Sequence, residues 1–172
     1  MNKFEKVSFE QYAKSIGGDI DLYTEYANIK LPRRATIGSA GYDFFAPFDF
    51  ELIPGETIKI PTGIRALLDE DKFLAIYPRS GIGFKYRLQL DNTVGIVDSD
   101  YSWSDNEGHI FIKITNDGRE GKTIHINKGE AFAQGIITQY FVTIDDEVSE
   151  VRNGGFGSTN KWNNLILTNA LI

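Results

Sequence analysis

Cysteine is absent from the 172-residue sequence, and histidine occurs only as His109 and His125. The absence of cysteine excludes disulfides, thiol nucleophiles and thiolate metal ligands. Two histidines cannot form a His-rich zinc site, and they give little support for a Ser–His catalytic triad. Because both lie among alternating apolar neighbours, we expect them to be strand residues and not catalysts.

A long apolar run and an excess of basic charge are also missing. No stretch of about 18 consecutive apolar residues occurs, and the N-terminus has no apolar signal core, so we expect a cytoplasmic protein without a membrane span. Acidic residues outnumber basic ones by 24 to 18, which gives a net charge of −6. This balance argues against direct nucleic-acid binding, which favours a basic face. A polyanionic ligand would therefore be small and would be bound by a few placed cations and a metal ion.

Length and patterning predict one all-β domain with short additions at both ends. Residues 8–16 have an apolar stripe at helical spacing behind the capping residue Ser8, and they are the only predicted helix. From Ile29 onward, short alternating or apolar runs are separated by Gly and Pro, which is typical of a β-sandwich or barrel. The expected organisation is an N-terminal helical extension (1–28), a β domain (29–145) and a flexible C-terminal arm with a glycine-rich lid (146–172).

The stretch Asn92–Tyr101, NTVGIVDSDY, is the strongest candidate for catalysis. Its apolar part predicts a strand, which ends beside two carboxylates, Asp98 and Asp100, and the ring of Tyr101. A carboxylate at the end of a strand can act as a general base on a rigid support. The alternative is a strand followed by an ordinary turn, since Asp and Ser commonly bond their own backbone in turns.

Three further stretches have side chains suited to phosphate or metal. In SAGYD, Ser39–Asp43, Gly41 permits a close backbone approach and Asp43 could hold a metal-bound water. PRSG, Pro78–Gly81, offers a guanidinium, a hydroxyl and an amide for phosphate oxygens, although its composition also suits a simple turn. RNGGFGST, Arg152–Thr159, is rich in glycine and is interpreted either as a flexible linker or as a lid over a bound nucleotide.

Together with GEAFAQ, Gly129–Gln134, these stretches stand in the order of the five motifs of the homotrimeric dUTPase family. The sequence resembles that family from Ala35 to Asn160, and five motifs in this order are specific. The resemblance implies a jelly-roll subunit and a homotrimer whose active sites are shared between subunits. It also implies hydrolysis of dUTP to dUMP and pyrophosphate, with Mg²⁺ on the triphosphate.

The resemblance assigns a role to individual residues. Asp98 matches the base that activates the attacking water, Tyr101 matches the residue that packs under the deoxyribose and excludes a 2′-hydroxyl, and Asp43 matches a ligand of magnesium-bound water. The substrate contacts that it implies are Arg79, Ser80, Gly81 and Gln134 near the phosphates, Asn92, Gly95, Ile96 and Val97 at the uracil, and Arg152, Phe156, Gly157 and Ser158 in the lid, with Phe156 stacking on the base.

Three features depart from the family pattern. Ala131 stands where the fourth motif usually has arginine, so a cation is missing or is supplied by another part of the chain. Arg152 lies one position nearer Phe156 than the family's arginine, whose role is on the γ-phosphate. The insert Ser102–Glu107 lengthens the expected hairpin tip. The N-terminal helix and the tail Lys161–Ile172 lie outside the family core and are assigned no role.

Two alternatives stay open at this point. A dCTP deaminase shares the fold, but that family as a rule lacks the glycine-rich lid. A second role as the partner of a regulatory protein would place the partner surface on the insert Ser102–Glu107 and on the N-terminal helix.

Overall fold

Short antiparallel strands dominate the computed structural model, which describes residues 1–17, 21–150, 152 and 154. In chain order the strands are β1 (Lys3–Lys6), β2 (Arg33–Arg34), β3 (Tyr42–Phe45), β4 (Phe50–Leu52), β5 (Thr57–Pro61), β6 (Ile64–Leu67), β7 (Lys72–Pro78), β8 (Leu88–Leu90), β9 (Gly95–Asp98), β10 (Phe111–Asn116), β11 (Ile124–Ile126) and β12 (Ala131–Gln139).

The helices are α1 (Phe9–Ile16), α2 (Leu22–Ala27) and α3 (Ser80–Tyr86), with a 3₁₀-helix at Ser99–Trp103. The predicted first helix is confirmed, because the Ser8 hydroxyl accepts a hydrogen bond from the Gln11 backbone N–H at 3.1 Å. The expectation of a single helix is wrong. The carboxylate of Asp21 caps α2 through the Thr24 amide at 3.2 Å, and six residues were too few to show apolar periodicity. The third helix, α3, contains two glycines, which are weak helix formers.

Four antiparallel sheets surround one core, as expected for an all-β fold. The largest has the strand order β2-β3-β12-β7-β9, and a second has the order β5-β10-β8. The pairs β1-β6 and β11-β4 complete the set. Most neighbours in these sheets are distant in sequence, so the sheets are closed by long-range pairing and not by hairpins.

Alternation along the strands fills the core. In β10, Ile112 and Ile114 are buried while Lys113 between them is exposed, which is the period-two pattern of a half-buried strand. The largest side chains that join them in the core, all less than 2% exposed, include Phe44, Ile60, Leu74, Leu88, Ile110, Ile124 and Phe132.

The N-terminal extension is not purely helical, which corrects the expectation for residues 1–28. Its strand β1 pairs with β6, with Lys3 opposite Leu67, so the segment begins as part of the β-fold. The helices α1 and α2 then pack on each other through aromatic side chains, with the rings of Phe9 and Tyr26 5.7 Å apart.

After β12, residues 140–150 continue without helix or strand. Gly18 and residues 155–172, including the predicted lid residues Phe156, Gly157 and Ser158 and the tail Lys161–Ile172, lie outside the described residues. Within the described part of the chain, no helix combines the length and apolar character needed to cross a membrane.

Candidate active site

The predicted carboxylate cluster lies where β9 ends. β9 runs beside β7, with Asp98 opposite Phe73, and the chain then turns into the 3₁₀-helix that carries Asp100 and Tyr101. The side chains of Asp98 and Asp100 are both 44% exposed. The strand therefore presents a half-exposed carboxylate at its end, as the sequence predicts.

The turn before β9 connects two different sheets. β8 pairs with β10, whereas β9 pairs with β7. Asn92 lies in this turn, and the next residue, Thr93, has a positive φ of 66°. The hairpin that the family resemblance implies around Asn92 is therefore not formed between β8 and β9, although the residues expected to contact uracil do lie together.

A cavity of about 200 Å³ opens beside these residues. Its lining is Ile76, Asn92, Gly95, Ile96, Val97, Asp98, Tyr101, Ile110, Phe111 and Arg152. The apolar wall formed by Ile76, Ile110 and Phe111 was not predicted. Phe111 alternates with buried residues in β10. This alternation predicts a strand, but it does not show which residues the outward side chains of that strand contact.

Tyr101 closes one side of the cavity and is only 8% exposed. Its hydroxyl donates to the His109 carbonyl at 3.0 Å and accepts from the Asn106 amide at 2.8 Å. Burial raises the pKa of the Tyr101 hydroxyl, while the Asn106 hydrogen bond and the Arg152 charge act in the opposite direction. The raised pKa keeps the hydroxyl protonated, so it can hold the ring by donating to His109.

Arg152, from the C-terminal arm, reaches the two carboxylates. Its Nε donates to Asp100 Oδ1 at 3.0 Å, and Nη2 forms an ion pair with Asp98 Oδ2. The arginine expected at a phosphate is thus bound to the candidate base and its neighbour.

A second cluster unites the first, second and fourth motifs. Arg79 Nε pairs with Asp43 Oδ1 at 3.0 Å, and Arg79 Nη1 donates to the Ala131 carbonyl at 3.2 Å. Gln134 lies opposite Asp43 in the β12–β3 register and donates to the Pro78 carbonyl at 3.0 Å. Arg79, Asp43, Gln134 and Ser80 all line a cavity of about 350 Å³.

Gly41 is required by this packing. A Cβ at this position would lie 2.5 Å from Gln134 Oε1, which is closer than a side chain can approach without displacing the glutamine. The predicted close backbone approach at SAGYD is therefore made to Gln134 of the fourth motif.

Two cations lie near the position where the family's arginine is replaced by Ala131. Ala131 is paired with Phe45 across β12 and β3, and Lys30 and Arg33 lie over the Phe45 ring at 5.5 and 5.6 Å from its centroid. Paired residues of neighbouring strands share one face of the sheet. Lys30, which precedes β2, and Arg33, its first residue, therefore bring positive charge to the neighbourhood of Ala131.

The insert folds against the N-terminal helix. Ser102–Glu107 comprises the end of the 3₁₀-helix and a turn, in place of the expected hairpin tip. The Glu107 carboxylate accepts from the Ser8 backbone N–H at 2.7 Å and from the Ser8 hydroxyl at 2.5 Å. Trp103 remains 79% exposed.

His109 is a buried structural residue. It precedes β10 and so is not a strand residue, whereas His125 does lie in β11. Gly63 N–H donates to His109 Nε2 at 2.9 Å, so Nδ1 carries the proton toward the Ser15 hydroxyl at 3.1 Å. Burial lowers the pKa of His109 to about 4; the Glu107 charge opposes this shift and that of Lys59 adds to it.

The two cavities have no lining residue in common. The smaller cavity falls below the ~300–1,000 Å³ typical of sites for complete drug-sized ligands. It suits a base and sugar, whereas the Arg79 cluster has the donors for phosphate. Among the described residues, no group of three or more acidic or histidine side chains forms a ready metal cage.

The fold and these two clusters define the class as an all-β protein with a half-exposed carboxylate at the rim of an apolar cavity and an arginine cluster suited to phosphate. The dUTPase family model matches residues 27–160. The chain belongs to the dUTPase family and is therefore an enzyme.

Relatives and solved structures agree with this assignment. The deoxyuridine 5'-triphosphate nucleotidohydrolase of Lactococcus lactis subsp. lactis (strain IL1403) is 41% identical over 144 residues, covering 81% of this chain and 95% of the relative. That of Laribacter hongkongensis (strain HLHK9) is 41% identical over 138 residues, covering 76% and 88%. The dUTPase structure from Streptococcus mutans has a TM-score of 0.62 at 29% identity, covering 81% of this chain and 97% of that chain.

Proposed function

We propose that this chain hydrolyses dUTP to dUMP and pyrophosphate in the cytoplasm, which limits uracil incorporation into DNA and supplies dUMP for dTMP synthesis. The observation that carries the proposal is the position of Asp98, a half-exposed carboxylate at the rim of an apolar cavity closed by Tyr101. Asp98 accepts the proton of the attacking water.

The nucleoside occupies the cavity beside β9. The Asn92 amide and the backbone of Gly95, Ile96 and Val97 contact the uracil edge. Gly95 and Val97 are buried while the Ile96 side chain is 54% exposed, so Ile96 contributes through its main chain. The Tyr101 ring packs under the deoxyribose and disfavours a 2′-hydroxyl.

The triphosphate is bound by the second cluster and the arm. Arg79, Ser80, Gly81 and Gln134 supply donors to phosphate oxygens. Arg152 exchanges its carboxylate partners for phosphate when substrate binds. In the arm, Phe156 covers the base, and Gly157 and Ser158 contribute donors.

The residues present fit Mg²⁺ that is bound mainly by the substrate. Mg²⁺ typically takes one or two carboxylates plus phosphates and retains several waters. Asp43 is the carboxylate beside the phosphate donors, and it would hold the ion through a bound water. When bound, Mg²⁺ neutralises phosphate charge as bond breaking proceeds.

The working enzyme is a homotrimer with shared sites. Support comes from the separation of the nucleoside cavity and the phosphate cluster within one chain. A neighbouring copy would bring its Arg79 cluster to the Asp98 cavity, so that a complete site needs more than one subunit.

The test is a pyrophosphate-release assay over the canonical dNTPs, dUTP and UTP, with and without Mg²⁺. Release from dUTP that requires Mg²⁺ and exceeds release from UTP and the other dNTPs is expected. Ammonia released from dCTP would instead indicate a deaminase, and failure to release pyrophosphate from dUTP would overturn the proposal.

A further inference from the structure

Among the described residues, the hydrogen bonds of the Tyr101 hydroxyl are made with Asn106, near the end of the insert, and with His109, just after it. Asn106 donates to the hydroxyl at 2.8 Å, and the hydroxyl donates to the His109 carbonyl at 3.0 Å. The ring of His109 also packs, tilted, against Phe111, another wall of the nucleoside cavity, with the two ring centroids 4.3 Å apart. Two walls of the cavity therefore depend on where residues 106–109 lie.

Helix α1 holds that segment at two points. Ser8, which caps the helix, donates twice to the Glu107 carboxylate. One residue before the helix ends, Ser15 contacts His109 Nδ1 and itself donates to the Gln11 carbonyl at 2.9 Å. Residues 107 and 109 are therefore bound to the two ends of helix α1.

The segment has little freedom to absorb a displacement. Glu107 has a positive φ of 59°, which is uncommon for a residue with a side chain. Gly108 has a φ of 71°, and a Cβ there would lie 2.6 Å from the Ser102 Cα. A close-packed segment transmits a shift at one end to the other, because it has no void into which it can relax.

Helix α1 also lies outside the part of the chain that the family model matches, which begins at residue 27. We propose that α1, through Ser8, Ser15, Glu107 and His109, positions the ring of Tyr101 and thereby sets the preference for deoxyribose over ribose. This inference rests on the proposed function. Ser8, Ser15, Glu107 and His109 are positioning residues, because they act on the substrate through Tyr101.

The test compares kcat/KM for dUTP with kcat/KM for UTP in Tyr101→Phe and Ser15→Ala. The first variant keeps the ring but removes both hydroxyl bonds, and the second removes the link from α1 to His109. Loss of a hydrogen bond that positions a group is expected to lower the dUTP/UTP ratio by about 3- to 10-fold. Ser15→Thr retains a hydroxyl and should preserve the ratio.

The matched control is Asp21→Ala, which removes the cap of α2 and has no bond to residues 106–109. It should lower the melting temperature without changing the ratio. The double variant Ser15→Ala/Tyr101→Phe completes a double-mutant cycle. Helix α1 can act through the Tyr101 hydroxyl only while that hydroxyl is present. The ratio of the double variant should therefore equal that of Tyr101→Phe alone.

The possible results separate the two proposals. A wild-type chain that does not hydrolyse dUTP overturns the function itself. With an active wild type, an unchanged ratio in Tyr101→Phe or Ser15→Ala overturns the positioning role. A ratio lowered equally by Asp21→Ala, or further lowered by Ser15→Ala in the Tyr101→Phe background, overturns it as well.

Discussion

At the scale of single residues, two neighbouring carboxylates compete for the role of base. Asp98 and Asp100 are equally exposed, and Arg152 binds both. Of the two, only Asp98 lines the cavity beside β9. Position at the cavity, and not accessibility, therefore distinguishes them.

We expect Asp98→Asn to lower kcat for dUTP by about 10²–10⁴-fold, because the amide cannot accept the proton. Binding of a nonhydrolysable dUTP analogue should persist, since the side-chain shape is retained. Asp100→Asn is the matched control and should retain kcat within about tenfold, below the loss expected for a general base. The reverse ranking in steady-state kinetics would assign the base to Asp100.

His109 provides a second residue-scale prediction, on stability. Its folded-state pKa of about 4 lies below the ordinary value of 6.5, because burial, aided by the Lys59 charge, favours the neutral ring. As pH falls below the ordinary value, the unfolded chain binds a proton that the folded chain does not. The contribution of His109 is therefore complete above about pH 6.5 and is lost as pH falls toward the folded pKa.

In urea unfolding, the contribution of His109 to the free energy of unfolding should decrease by about 1 kcal/mol per pH unit as pH falls from about 6 to about 5. His109→Gln should remove that component of the slope, whatever its effect on absolute stability. His125→Gln is the control, because the His125 side chain is 62% exposed and pairs with Glu51, and it should retain the slope. Equal slopes in both variants would contradict the assignment to His109.

At the scale of elements, the turn from β8 into β9 is strained beside Asn92, which lines the cavity. Thr93 adopts a left-handed conformation, which is unfavourable for a β-branched residue. Its amide donates to the Leu90 carbonyl at 2.9 Å, so the turn itself maintains this conformation. The strained residue therefore lies where the chain crosses from one sheet to the other.

Thr93→Asn should raise the free energy of unfolding by about 0.5–1 kcal/mol, because asparagine tolerates the left-handed region better than threonine. Thr93→Val retains the branching without the hydroxyl and should give no increase. Chemical denaturation of the two variants beside the wild type measures the difference. An equal increase in the free energy of unfolding in Thr93→Asn and Thr93→Val would show that relief of backbone strain is not the cause of the increase.

At the scale of the whole molecule, one chain holds the Asp98 cavity and the Arg79 cluster in two cavities that share no lining residue. The Arg79 cluster depends on β3, β7 and β12, whereas the Asp98 cavity depends on β7, β9 and β10. A trimer would bring the Asp98 cavity of one copy to the Arg79 cluster of another. A substitution in the cavity and a substitution in the cluster would then damage different halves of a shared site.

Mixing Asp98→Asn with Arg79→Ala tests this arrangement. Each variant alone should be nearly inactive, and a mixture that has exchanged subunits should recover up to about one quarter of wild-type activity, since random assembly leaves that share of shared sites intact. Light scattering should give a trimer mass for both variants. A mixture of exchanged subunits that stays as inactive as its components would indicate complete sites within single chains.

Local patterns were sufficient for several features. The cap at Ser8 and the stripe behind it predicted α1, because helix formation depends on residues three and four apart. The run into Asp98 predicted a strand that ends in a carboxylate, because alternation identifies the buried face. The order of five short motifs identified the family before any contact was known.

Tertiary structure decided which distant residues meet. Asp43, Arg79 and Gln134 come together because β3, β7 and β12 are neighbours, and periodicity shows which face of a strand is buried but not which strand lies beside it. Periodicity for the same reason did not show that Phe111 lines the cavity. The alternating neighbours of His109 predicted a strand residue and did not show that its ring is buried and hydrogen-bonded. The connection from α1 to Tyr101 also depends on long-range packing, because its bonds join residues 94 and 99 positions apart.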